Sequence, residues 1–183
     1  MPMWKPMNEL YLRKKEAVEQ SMAAHDWDQV IWLHERPYRL SKLEELFFER
    51  SIDSNDLVRM LPGVWTDAEP QDEMRWRHLF EAAGFCTDAI PEKLAELRSH
   101  LSVVVYRGGM RTDNLGLAWS LSRPTAEWFA YRFLPAGRVP YLWTGEVDVS
   151  SIYAYIVGRS EEEIVVDPAY IRDIHAEKLP KKR

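Results

Sequence analysis

A chain of 183 residues that is 46% hydrophobic and 29% charged can bury an ordinary core and is too apolar for intrinsic disorder. Its net charge of −5 argues against general phosphate-backbone binding and leaves room only for a local basic groove. One cysteine, Cys86, excludes an internal disulfide and a thiolate metal cage; with no long apolar stretch and no signal-like N-terminus, a cytoplasmic protein without membrane attachment is expected.

The first hundred residues read as helical. Asn8 to Ala23 carries Leu10, Tyr11, Val18 and Met22 among charged residues. Trp27 to Leu33 supplies Trp27, Val30, Ile31 and Trp32 and stops near Pro37. Ser41-Lys42-Leu43-Glu44 has the spacing of a capping box, with Leu43, Leu46 and Phe47 behind it. Ser54 or Asn55 is placed to cap a short helix through Leu57, Val58 and Leu61, ended by Pro62-Gly63. Trp76, Leu79, Phe80 and Ala83 follow helical spacing, and Gly84 is placed just beyond them as the residue that closes the helix. Pro91 starts another helix, with Leu94 and Leu97 on one side. All these stripes are most simply core.

At Val103 the pattern changes. Val103-Val104-Val105-Tyr106 favours a strand buried on both faces, broken by Gly108-Gly109 and followed by a loop to Gly116. Ser122 is placed to cap a helix that Pro124 enters, with Ala126, Phe129, Ala130 and Phe133 as its inner stripe. Val139 to Asp148 alternates as a strand does, Ser151 to Val157 is a further strand, and Gly158-Arg159-Ser160 turns the chain into Glu161-Glu162-Glu163. Ile164-Val165-Val166 then reads as a buried strand. The expected class is α+β, helical over residues 1–100 and mainly β over residues 101–183, the two forming one compact unit.

The carboxylate triplet admits two readings. If the extended conformation begins at Glu161, then Glu161 and Glu163 share a face with their Cα atoms roughly 6.5–7 Å apart, which suits one group orienting a substrate and the other handling a proton. The alternative is a solvated acidic turn before a strand.

Taken in order, Tyr106-Arg107-Gly108, Trp119-Ser120-Leu121-Ser122 with Ala126 and Phe129-Ala130 behind it, and Glu161-Glu162-Glu163 before a strand resemble the mono-ADP-ribosyltransferases of the Arg–Ser–Glu class. That class includes clostridial and related bacterial toxins, and the resemblance spans roughly residues 101–168. It implies two small packed sheets around an NAD cleft, with NAD as co-substrate. Arg107 would pair with an NAD phosphate, because a guanidinium is always charged and forks onto oxygens. Gly108 would let the backbone approach the nicotinamide carboxamide. Ser120 would stand for the first serine of the family's Ser-Thr-Ser strand and support the catalytic glutamate; Leu121 replaces the middle threonine. Glu163 would be the catalytic glutamate and Glu161 its partner. Tyr106, Trp119 and Phe129 would supply an aromatic wall, and Ala154 to Ser160 the turn that presents acceptors, with Tyr155 a contact.

The chemistry suits these residue types. Breaking the nicotinamide–ribose bond builds positive charge on the ribose, as in glycoside cleavage. A carboxylate at Glu163 would stabilise that charge, and one at Glu161 would hold and deprotonate the incoming nucleophile. In the family a glutamate at that second position goes with arginine acceptors. Plainer roles stand beside these: Arg107 ending a strand in a surface ion pair, Ser120 and Ser122 capping a helix, Phe129 and the tryptophans in the core.

Elsewhere the chemistry-bearing residues are scattered. The five histidines show no metal-ligand spacing, so no metal site is expected, and no serine sits in a nucleophile elbow. The basic tail from Lys178 to Arg183 reads as a solubilising end. The resulting expectation is transfer of ADP-ribose from NAD to a macromolecular acceptor, a protein arginine, with nucleic acid open as an acceptor. An effector, toxin or phage setting would add an inhibitor or antitoxin protein as a partner, in the producing cell or a target cell. NAD glycohydrolysis, with water as the acceptor, and a non-catalytic partner-binding module on the same fold are the alternatives.

Overall fold

The structure, a computed structural model, describes residues 4–68, 73–111, 115–132, 134–158 and 161–180. Phe133 of the expected helix stripe, Arg159 and Ser160 of the expected turn, and Lys181 to Arg183 of the basic tail lie outside the described residues. The chain divides into two compact units, residues 1–71 and 72–183. The expected break at residue 100 falls inside the second unit.

The first unit is built from α1 (Trp4–Ala23), α2 (Trp27–Leu33), α3 (Arg36–Phe48) and α4 (Ser54–Asp67). Its apolar stripes are buried at Val30, Ile31, Leu40, Leu43, Leu57 and Leu61. Leu10 and Tyr11, expected on an inner stripe of α1, are exposed.

Prolines and caps account for the shifted helix ends. Pro37 sits in the first turn of α3, where a missing N–H costs nothing, so the helix begins at Arg36 and Ser41 lies inside it instead of capping it. Asp53, not Ser54 or Asn55, caps α4, accepting the Asn55 and Asp56 N–H groups at 2.8 and 2.9 Å. The α4 helix then runs through Pro62 to Asp67. Burial of Leu57, Met60, Leu61 and Val64 on one side, with Pro62 itself buried, outweighs the lost hydrogen bond.

The second unit contains α5 (Glu73–Ala83), β1 (Cys86–Thr87), α6 (Pro91–Arg98), β2 (Ser102–Gly109), β3 (Ala118–Ser120), α7 (Arg123–Arg132), β4 (Tyr141–Asp148), β5 (Ala154–Ile156), β6 (Glu163–Val165) and β7 (Ile171–Lys178). Gly84 closes α5 at φ 74°, its N–H donating to the Phe80 carbonyl at 2.9 Å. The strands form one seven-stranded sheet in the order β1-β5-β6-β3-β2-β4-β7. All neighbours are antiparallel except β1 and β5. The β2–β3 seam is a single residue pair, Tyr106 opposite Ser120. Two small sheets were expected; hydrogen bonding joins two blocks, β1-β5-β6-β3 and β2-β4-β7, at that one point.

Each side of the sheet has its own core. Val105, Trp119, Val147, Tyr155 and Ile164 pack with Leu97 and Ile171 in one cluster. Ala126 and Ala130 of α7 pack with Leu142 and Leu179 in the other, against Tyr106. The β2 strand is therefore not buried on both faces: Val105 is fully buried, while Val104 is 47% exposed. Gly108 lies directly beneath α7, where a Cβ would stand 1.9 Å from the Ala126 carbonyl oxygen and 2.5 Å from the Ala130 nitrogen. Two strands went unanticipated. The short β1 has too few residues to show alternation, and β7 carries Lys178 of the expected tail, with Leu179 buried beyond it.

Candidate functional site

Directly opposed residues of an antiparallel ladder share a face, and successive residues alternate. Ser120 is opposite Tyr106 on one side and Glu163 on the other, and Glu163 is opposite Ile156. Tyr106, Ser120, Glu163 and Ile156 therefore form one row across β2, β3, β6 and β5. Trp119, opposite Ile164, belongs to the other face, as does Arg107.

Ser120 ties the row to the triplet. It is only 7% exposed; its hydroxyl donates to the Glu161 carbonyl at 2.6 Å and accepts the Ser122 N–H at 3.0 Å. The Leu121 N–H donates to the Glu162 carbonyl at 3.0 Å. Ser122 caps α7 as expected, its oxygen accepting the Thr125 N–H at 3.3 Å.

The β6 strand begins at Glu163, and Glu162 sits at φ 46°, in the left-handed region. The premise that the extended chain starts at Glu161 is not met, so alternation does not put Glu161 and Glu163 on one face. The Glu162 carboxylate instead turns to Lys93 of α6, 3.0 Å away, and raises the Lys93 pKa by accepting that hydrogen bond.

Arg107 reaches β3 where the β2–β3 pairing has lapsed, its guanidinium donating to the Ala118 carbonyl. A Cβ on Gly116 would lie 2.1 Å from Glu73 Oε1 and 3.1 Å from Arg107 Nη2, so the first carboxylate of α5 and the guanidinium approach the same point. Trp143, opposite Arg107 on β4, has a buried indole N–H without a hydrogen-bond partner among the described residues.

The aromatic residues separate. Trp119 is 2% exposed and its indole N–H donates to the Gly116 carbonyl at 3.0 Å, so it supports β3 from within the core and is not a wall for a ligand. Tyr106 is half-buried against α7. Phe129 is half-buried on α7, edge-on to Trp128 with ring centroids 4.9 Å apart. Tyr155 is 3% exposed in β5, so burial removes it as an acceptor contact and pushes its hydroxyl pKa up. Gly108 has a steric reason to be glycine, the close passage of α7.

Sequence reasoning did not single out Glu73, Asp88 or Lys93. Each lies in or beside a helix whose periodicity accounts for it, and each acquires its role only through contacts with distant residues. The Cys86 thiol, also in this region, is pushed up to about 12 by burial, with the Asp88 charge adding to it, and so is a poor nucleophile. Among the described residues no cluster of histidine, cysteine or carboxylate side chains suits a metal ion. A cavity of 710 Å³ lined by Phe47, Phe48, Arg50 and Asp53 among others belongs to the first unit and includes none of the expected site residues.

Comparison with protein-family models, curated proteins and solved structures finds no match to this chain.

Proposed function

We propose that the chain is an NAD-dependent mono-ADP-ribosyltransferase whose acceptor is a protein arginine side chain. The observation that carries this reading is the position of Ser120, opposite both Tyr106 and Glu163 at the one pair where the two blocks of the sheet meet. The division of the sheet there supports an ADP-ribosyltransferase-like core of two small sheets. NAD is the substrate: Ser120 on β3 and Glu163 on β6 stand in one row, and Arg107 on β2, which faces the other side of the sheet, must reach the dinucleotide at the single-pair β2–β3 seam.

Arg107, held by the Ala118 carbonyl, is oriented in advance to receive a phosphate. Glu73 must turn aside for that anion. Glu163 meets the positive charge that builds on the ribose as the bond to nicotinamide breaks. Ser120 fixes the backbone at Glu161 and so holds the approach to Glu163. Glu161 accepts the proton of the incoming guanidine nitrogen. A second reading, NAD glycohydrolysis, draws on the left-handed Glu162, which separates Glu161 from the strand that carries Glu163.

The test is turnover of labelled NAD with candidate protein targets, for wild type and Glu163→Gln. The substitution should lower nicotinamide release about 10²–10³-fold with an unchanged melting temperature. Equal turnover by the two proteins overturns the reading. Free ADP-ribose without labelled target supports the hydrolase, and no turnover by either supports a binding module.

A further inference from the structure

Residues 157–158 and 161–162 border the entry to β6, and both borders are held by one short stretch of chain. The Asp88 carboxylate accepts the Val157 N–H at 2.6 Å through Oδ1 and the Gly158 N–H at 3.0 Å through Oδ2. A Cβ at Gly158 would lie 2.7 Å from Asp88 Oδ2, so this clasp needs glycine there. Next to Asp88, the Thr87 hydroxyl donates to the Tyr155 carbonyl at 2.6 Å, and Thr87 is opposite Tyr155 in the parallel β1–β5 pair. On the far border Lys93 binds Glu162, the left-handed residue between Glu161 and Glu163.

The Lys93 and Glu162 side chains are 42% and 38% exposed, so their ion pair adds little to stability. Its consequence is positional. It directs the Glu162 carboxylate to Lys93 of α6, while the Glu161 and Glu162 carbonyls are held by Ser120 and Leu121.

We propose that Asp88 and Lys93 are positioning residues that hold the acceptor side of the site and set how much ADP-ribose goes to a guanidine acceptor and how much to water. The inference rests on the transferase reading above. In the transfer step the nicotinamide–ribose C–N bond breaks and its electron pair leaves with nicotinamide. A new C–N bond forms to the acceptor guanidine, whose proton passes to Glu161. In hydrolysis a water oxygen takes the place of that nitrogen and loses its proton in the same way. Bond cleavage is common to both outcomes, so a brace that positions only the acceptor side changes their ratio and not their sum.

The experiment measures nicotinamide release, free ADP-ribose and ADP-ribosyl-agmatine for wild type, Lys93→Met, Lys93→Arg and Asp88→Ala, with agmatine as the guanidine probe. Lys93→Met and Asp88→Ala should lower transfer about tenfold while hydrolysis rises by what transfer loses, so that total nicotinamide release and KM for NAD stay within about twofold. Lys93→Arg, which keeps the charge and a donor, should restore most of the transfer. Transfer and hydrolysis falling together, unchanged transfer, or a wild type that only hydrolyses NAD would each overturn the proposal.

Amide hydrogen exchange separates failure of the brace from failure of the transferase reading. The Val157 and Gly158 N–H groups should be protected in wild type and lose protection in Asp88→Ala. Unprotected amides in wild type overturn the brace itself. A wild type with protected amides but no NAD turnover overturns the transferase reading and the proposed role with it.

Discussion

The first unit is assembled from neighbours in sequence, the second from strangers. In residues 1–71 the helices α2, α3 and α4 take their buried sides from stripes of local periodicity, such as Leu40, Leu43 and Leu46 of α3. In residues 72–183 the central row joins Tyr106, Ser120, Glu163 and Ile156, whose strands adjoin only after folding. Local pattern therefore suffices to draw a helical unit, and chemistry accumulates where non-local pairing brings unlike side chains together.

Three substitutions probe the comparison through packing. Leu61→Ala removes a fully buried side chain from the stripe of α4 and should cost about 2–5 kcal/mol in urea unfolding. A loss under about 1 kcal/mol would mean that the helical unit is not held by its stripes.

Glycine to alanine should act in opposite directions in the two units. At Gly108 the added Cβ meets the α7 backbone at 1.9 Å, so the helix must shift, at about 1–3 kcal/mol. At Gly63, inside α4, the nearest atom is Trp32 Cζ2 at 3.4 Å, and alanine should be neutral or stabilising by up to about 1 kcal/mol through helix propensity. Matching unfolding midpoints for the two variants would break the contrast.

The smallest expected effect is alkaline. Burial raises Cys86 from an ordinary 9.0 and Tyr153 from an ordinary 10.0, each to about 12. The folded state holds these protons while the unfolded chain releases them. The associated stability is therefore complete below about pH 9 and lost as the pH climbs towards 12. The melting temperature should decline across that window, and Cys86→Ala should delay the onset; an identical curve for the variant would remove the thiol from the account.

Much of this protein was legible without coordinates. Periodicity determined the helices at Trp27, Trp76 and Pro91, the cap at Ser122 and the strand after Glu163, because each depends on residues within a turn or two of one another. Local signals misled where tertiary burial outweighed them. Pro62 reads as a helix end, yet it is carried inside α4 by the apolar side around it. Glu161 and Glu163 read as one face until Glu162 adopts φ 46° with its carboxylate on Lys93 and its carbonyl on Leu121. The residue types at the candidate site belong to the sequence, but their meeting does not. Which hydroxyl stands opposite which carboxylate follows from strand register, and register is settled by which faces of the sheet are buried. The contacts of Asp88 and Lys93, and the approach of Glu73 to Arg107, were decided in the same way, by backbone and side-chain partners that only the folded chain supplies.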